Sequence, residues 1–118
     1  MGAAYKNITI ERGATFAKRF FIVNKANKLP FDLSGYEYGE AQIRENPTSK
    51  TILGVFTVVI PDPPTGEVRY VMIDDITAQL PIGIKVWDLF LVGSVSSALG
   101  RWRILAGQAN IIPTVTRD

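Results

Sequence analysis

Apolar and polar positions alternate with a period of two along most of this chain. In YKNITIERG, Ile8 and Ile10 fall on one face, and after Gly13 the segment TFAKRFFIVN sets Phe16, Phe20 and Ile22 on one side. Residues two apart share a face of a β-strand, so both segments read as strands. KANKLPFDLSGY has the Asn, Lys, Pro, Asp, Ser and Gly density of a connection, after which YEYGEAQIRENP alternates with Ala41 and Ile43 facing in. TILGVFTVVI is rich in β-branched residues and is closed by PDPPTG, a cluster of three prolines that no continuous strand accommodates; EVRYVMI resumes the pattern.

One segment breaks the period. DDITAQLP reads as a helix of about two turns, with Asp74 or Asp75 as its N-cap and Pro81 and Gly83 ending it. IKVWDLFLVG and GRWRILAGQANII then form a hairpin of two long strands across the Ser-rich loop SVSSAL. The pattern predicts an all-β fold: an antiparallel, seven-stranded, immunoglobulin-like β-sandwich with one short helix. The 118 residues make one domain, 1–118, with a short C-terminal arm at about 113–118. Gly107, inside the last strand, signals a bulge or a close neighbour.

Composition narrows the chemistry. Hydrophobic residues make up 47% and charged residues 20%, the balance of a folded protein. Thirteen Lys and Arg against eleven Asp and Glu leave a net charge of only +2, with the basic residues scattered, which disfavours nucleic acid as a partner. There is no Cys and no His. Disulfides, thiolate chemistry, the commonest general base and the favoured transition-metal ligand are thereby removed. No metal or other cofactor is expected, and no membrane association: the start lacks a signal peptide's apolar core and no run reaches bilayer length.

Asp88 stands alone in the apolar run KVWDLFLVG. With Trp87, Leu89 and Leu91 as the inward set, period two puts Val86, Asp88, Phe90 and Val92 on the outer face. Asp88 then reads as a solvated or cross-strand-paired carboxylate opposite Arg101 or Arg103, since a catalytic role would require a second acid across a cleft. Val86, Phe90 and Val92, joined by Trp102 and Ile104 if those also point outward, would form an apolar outer face rimmed by Arg101, Arg103 and Lys85. Such a face is either an interaction surface or is covered by a loop, the short helix or the chain's own tail. Phe21, beside Arg19, is a second candidate anchor. Tyr36, Tyr38, Tyr70 and Trp102 could alternatively stack on a sugar, although such aromatics more often fill cores.

The order of these pieces resembles the small β-sandwich structural domains of tailed bacteriophages, including those similar to the N-terminal domain of phage upper baseplate proteins. The resemblance runs through nearly the whole chain. It is carried by Glu11, Gly13 and Phe16 of the first turn, by Pro30, Asp32, Leu33, Ser34, Gly35 and Tyr36, by Ile43 and Arg44, by the LPIG turn before the Trp-Asp-Leu strand, and by Gly107, Thr116 and Arg117 of the closing segment. Phe90 departs from it, at a position commonly polar in relatives. The resemblance implies a non-enzymatic virion protein, made in the host cytoplasm, that works as a tail, baseplate or fibre-attachment component. Its partners would be other phage virion proteins or further copies in a homo-oligomer or symmetric array. A capsid decoration or head-to-tail connector role, and a carbohydrate- or receptor-binding module using Tyr36, Tyr38 and Trp102, are the alternatives.

Overall fold

A computed structural model describes residues 4–93 and 100–114. These form eight strands: β1 (Ala4–Tyr5), β2 (Ile8–Glu11), β3 (Phe16–Phe21), β4 (Tyr36–Arg44), β5 (Ile52–Val59), β6 (Glu67–Met72), β7 (Gly83–Gly93) and β8 (Arg101–Ile112). One short helix, α1 (Asp74–Thr77), links β6 to β7, and the proline cluster makes a single 3₁₀ turn at Pro63–Thr65. Gly66 ends that turn with φ 76°, its backbone so close to Ile22 that an added Cβ would lie 2.4 Å from the Ile22 carbonyl oxygen. Only glycine fits there.

The strands follow one path, β1-β8-β7-β4-β5-β6-β3, with β2 also on β8. β5 serves two neighbours in succession: Ile52–Phe56 pairs with β4, and Thr57–Val59 pairs with β6. The sheet thus curls at β5, bringing its far ends face to face. Tyr70 of β6 stacks on Trp87 of β7 with ring centroids 5.4 Å apart and an interplanar angle of 18°. Phe56 and Phe16 complete the aromatic centre, at 5.9 Å from Trp87 and 5.8 Å from Tyr70 respectively. Around it pack the fully buried Ile10, Leu33, Ile43, Met72, Leu89, Leu91 and Ile111. Burial holds the Tyr70 phenol above its ordinary pKa.

All-β with one short helix is the architecture found, but the sheet is mixed rather than antiparallel, and the described strands number eight rather than seven. β1 and β2 both run parallel to β8, pairing Ala4–Tyr5 with Leu105–Ala106 and Ile8–Glu11 with Ala109–Ile112. They are one strand interrupted at Lys6–Asn7, where the Lys6 carbonyl turns inward to accept the Trp87 indole N–H at 2.8 Å. Gly107 sits against this break, as its place inside a strand suggested: a Cβ there would lie 2.2 Å from the Lys6 oxygen. The turn after β2, closed by Ala14 N–H donating to the Glu11 carbonyl, carries the chain across to β6 instead of forming a hairpin.

The helix also differs from expectation. Its N-cap is Ile73, and Asp74 and Asp75 occupy the first turn, where their charge still complements the free N–H groups. The side chain that anchors it is the buried Thr77, whose Oγ1 accepts from Gly13 N–H at 3.0 Å and donates to the Ala14 carbonyl at 2.9 Å. The loop 94–99 and the arm residues 115–118 lie outside the described residues; Pro113 and Thr114 follow the end of β8. No helix among the described residues is long and apolar enough to cross a membrane.

Candidate partner surface

On β7 the period-two reading holds. Trp87, Leu89 and Leu91 are buried in the core, and Val86, Asp88, Phe90 and Val92 are half-buried on the opposite face. Register across β4, β7 and β8 arranges that outer face in rows: Arg44, Val86 and Gln108; Gln42, Asp88 and Ala106; Glu40, Phe90 and Arg103; Tyr38, Val92 and Arg101.

Three expectations for this face change. Ile104 is only 8% exposed and belongs to the core, and Trp102, directly across from Leu91, also lies on the inner side. The cause is the register shift at Leu89/Phe90, where Leu89 faces Leu105 and Phe90 faces Arg103, so Ile104 is an extra residue turned inward. Arg101 and Arg103 take the outer positions instead. Lys85 shares the inner parity of Trp87, is buried, and pairs with Glu45 at 2.8 Å, so it does not rim the face.

The apolar residues that do point outward are partly screened by charge. The Arg101 guanidinium lies 4.3 Å from the Phe90 ring centroid and pairs with Glu40 at 3.2 Å. Arg44 donates to the Ser49 carbonyl at 2.7 Å and to Gln42 Oε1 at 2.8 Å. Burial raises the Asp88 pKa, and the nearby Arg103, Arg44 and Arg101 oppose that rise. The residue directly opposite Asp88 on β8 is Ala106, whose small side chain leaves room above the carboxylate. A concavity of about 550 Å³ opens there, lined by Arg44, Val86, Asp88, Phe90, Arg103 and Tyr5 among others. Sequence reasoning left out the β4 and β1 side of this hollow, although Ala41 and Ile43 facing in already assigned Gln42 and Arg44 to the other face.

Phe21 stands apart. It is 52% exposed on β3, at the far end of the strand path from β8, with the Arg19 guanidinium 5.8 Å from its ring. The four aromatics considered as a sugar platform do not share one surface. Tyr70 is in the core, Tyr38 is exposed on the outer face, and Tyr36 packs on Trp102 at 5.9 Å, with Phe31 on the same indole at 5.5 Å. Among the described residues no group of three Asp or Glu is placed to hold a metal ion. Asp32 accepts from the Ser34 hydroxyl and, at 2.9 Å, from Ser34 N–H, the two-residue-on turn that its type favours, and these bonds lower its pKa.

No family model matches this chain, and no curated protein matches it. Among solved structures its fold is similar to the N-terminal domain of phage TP901-1 ORF48, with a TM-score of 0.59 at 14% identity, covering 91% of this chain and 85% of that one. The resemblance to small tailed-phage domains that the turn and strand order suggests is therefore met at the level of the fold.

Proposed function

We propose that this chain is a non-enzymatic virion structural protein of a tailed bacteriophage, a tail, baseplate or fibre-attachment component that acts by protein–protein assembly. The observation that carries this reading is the fold likeness to a phage domain over 91% of the chain. A sequence without His or Cys agrees with a role in shape rather than in catalysis. The partner surface in this reading is the outer face of β4, β7 and β8, where Val86, Phe90 and Val92 lie among Arg44, Arg101 and Arg103. Its partners are other virion proteins or copies of itself. An apolar floor under polar, arginine-rich walls is the composition of many protein interfaces.

Mass spectrometry of purified particles of the encoding phage, followed by immunogold electron microscopy, tests this. Label at the tail or its tip is the expected result. Label over the head would replace the tail reading with capsid decoration or a connector, and absence from the particles would remove the virion reading.

A further inference from the structure

The concavity on the outer face has a charge imbalance that the described residues do not compensate. Arg44, Arg101 and Arg103 line it against Glu40 and Asp88, three positive charges to two negative. Arg101 is paired with Glu40. Arg44 is held by neutral acceptors, the Ser49 carbonyl and the Gln42 amide. Among the described residues no carboxylate lies within 4 Å of Arg44 or Arg103. Two guanidiniums thus share the field of one central carboxylate, Asp88, and one further carboxylate would make that group neutral.

The same chain carries the complementary surface. Asp74 and Asp75, its single pair of adjacent acids, are both exposed in α1, and neither forms an ion pair among the described residues. Ile73 and Ile76, on either side, are 51% and 37% exposed. This corner is rigidly presented: Thr77 is bonded to Gly13 and Ala14, and Arg12 donates to the Ala78 carbonyl at 2.9 Å. No residue of α1 lines the concavity, so the two patches are distinct.

We propose that the concavity receives the α1 corner of a second copy, with Asp75 entering between Arg44 and Arg103 and the flanking isoleucines meeting Tyr5 and Phe90. This rests on the assembly reading above and names its partner. Carboxylates on guanidiniums in a partly desolvated hollow make strong, directional contacts, and a corner already fixed in place loses little entropy on docking. The two patches are distinct, so a contact that forms one pairing at a time repeats into a ring or a helical stack, whereas a two-fold arrangement would form both pairings at once in a closed dimer.

The test is sedimentation velocity of the whole chain over a concentration series at low salt, with Arg103→Glu, Asp75→Arg, and an equimolar mixture of the two. The wild type should associate with rising concentration, and association should weaken as salt rises. Each variant alone should associate at least tenfold more weakly while keeping its circular dichroism spectrum; both side chains are exposed, and losing Arg103 beside Asp88 or the acid at the start of α1 should lower the melting temperature only slightly. The mixture should recover association, since the reversed corner meets the reversed hollow and the native corner meets the native hollow. A wild type that stays monomeric, variants that associate as the wild type does, or a mixture that stays as weak as its components would each overturn the proposal. None of these results would touch the location of the chain in virions, which is measured separately.

Discussion

The indole N–H of Trp87 donates to the backbone carbonyl of Lys6 at 2.8 Å, and this bond ties the N-terminal strand to the core. Lys6 N–H in turn donates to the Ala106 carbonyl at 2.9 Å, so the residue is held from both sides at the break between β1 and β2. Trp87→Phe keeps most of the packing but strands a carbonyl, and should cost about 1 to 3 kcal/mol. Gly107→Ala should cost at least as much, because its new Cβ meets the Lys6 oxygen and carbonyl carbon at 2.2 and 2.7 Å, backbone atoms that cannot swing aside. Urea unfolding measures both losses. Hydrogen exchange at the Lys6 amide should accelerate first, and an unchanged Lys6 amide would contradict the role of this bond.

Adjacent residues of β7 should respond in opposite ways to the same substitution. Leu89 is fully buried, so Leu89→Asp places an unpaired charge in the core and should abolish folding; Leu89→Ala should cost about 2 to 5 kcal/mol. Phe90 lies half-buried under Arg101 on the outer face, and Phe90→Asp should leave a folded protein, destabilised by about 1 kcal/mol. Circular dichroism melts decide the matter. Loss of folding in Phe90→Asp would mean that this face is more tightly packed than its exposure indicates.

Thr77 offers a third test, since one hydroxyl joins α1 to the turn after β2. Thr77→Val preserves the shape but leaves the Gly13 N–H and the Ala14 carbonyl without that partner, in a region where Thr77 itself is fully buried. The expected cost is about 1 to 3 kcal/mol. Faster amide exchange at Gly13, with the β7 core amides unaffected until global unfolding, would locate the loss.

Much of this architecture is legible in the alternation of residues, and the illegible parts have physical causes. The inward set Trp87, Leu89 and Leu91 declares itself because three large apolar residues at period two have only one face to bury. The parallel pairing of β1 and β2 with β8 does not, because the alternation of a strand is the same whether its neighbour runs with it or against it. Ile104 is misassigned for a different reason: Ala109 and Ile111 set the inner parity at the end of β8, that parity carried back along the strand puts Trp102 and Ile104 outside, and the register shift at Leu89/Phe90 turns them in. The hollow was half visible, since β7 and β8 supply part of its lining from adjacent sequence. Arg44 comes from β4, and only the β4–β7 register sets it beside Asp88.

Asp88 makes stability depend on pH in a direction that can be worked out. Burial, the leading influence, raises its pKa in the folded state above the ordinary aspartate value of 3.8, against the pull of Arg103, Arg44 and Arg101. Between the unfolded and the folded pKa the native state therefore binds the proton more readily, and stability falls as pH rises through that window. Above it, the ionised carboxylate carries a desolvation penalty that the three arginines only partly offset. Asp88→Asn removes the charge while keeping the shape, and so should raise stability near neutral pH, with the gain shrinking as pH falls below the folded pKa and the wild-type carboxyl becomes protonated. Paired urea titrations of the two proteins across the acid range measure this. A gain that does not shrink in acid would rule out titration of Asp88 as its source, and a variant less stable than the wild type at neutral pH would mean that the arginines, not burial, dominate the carboxylate.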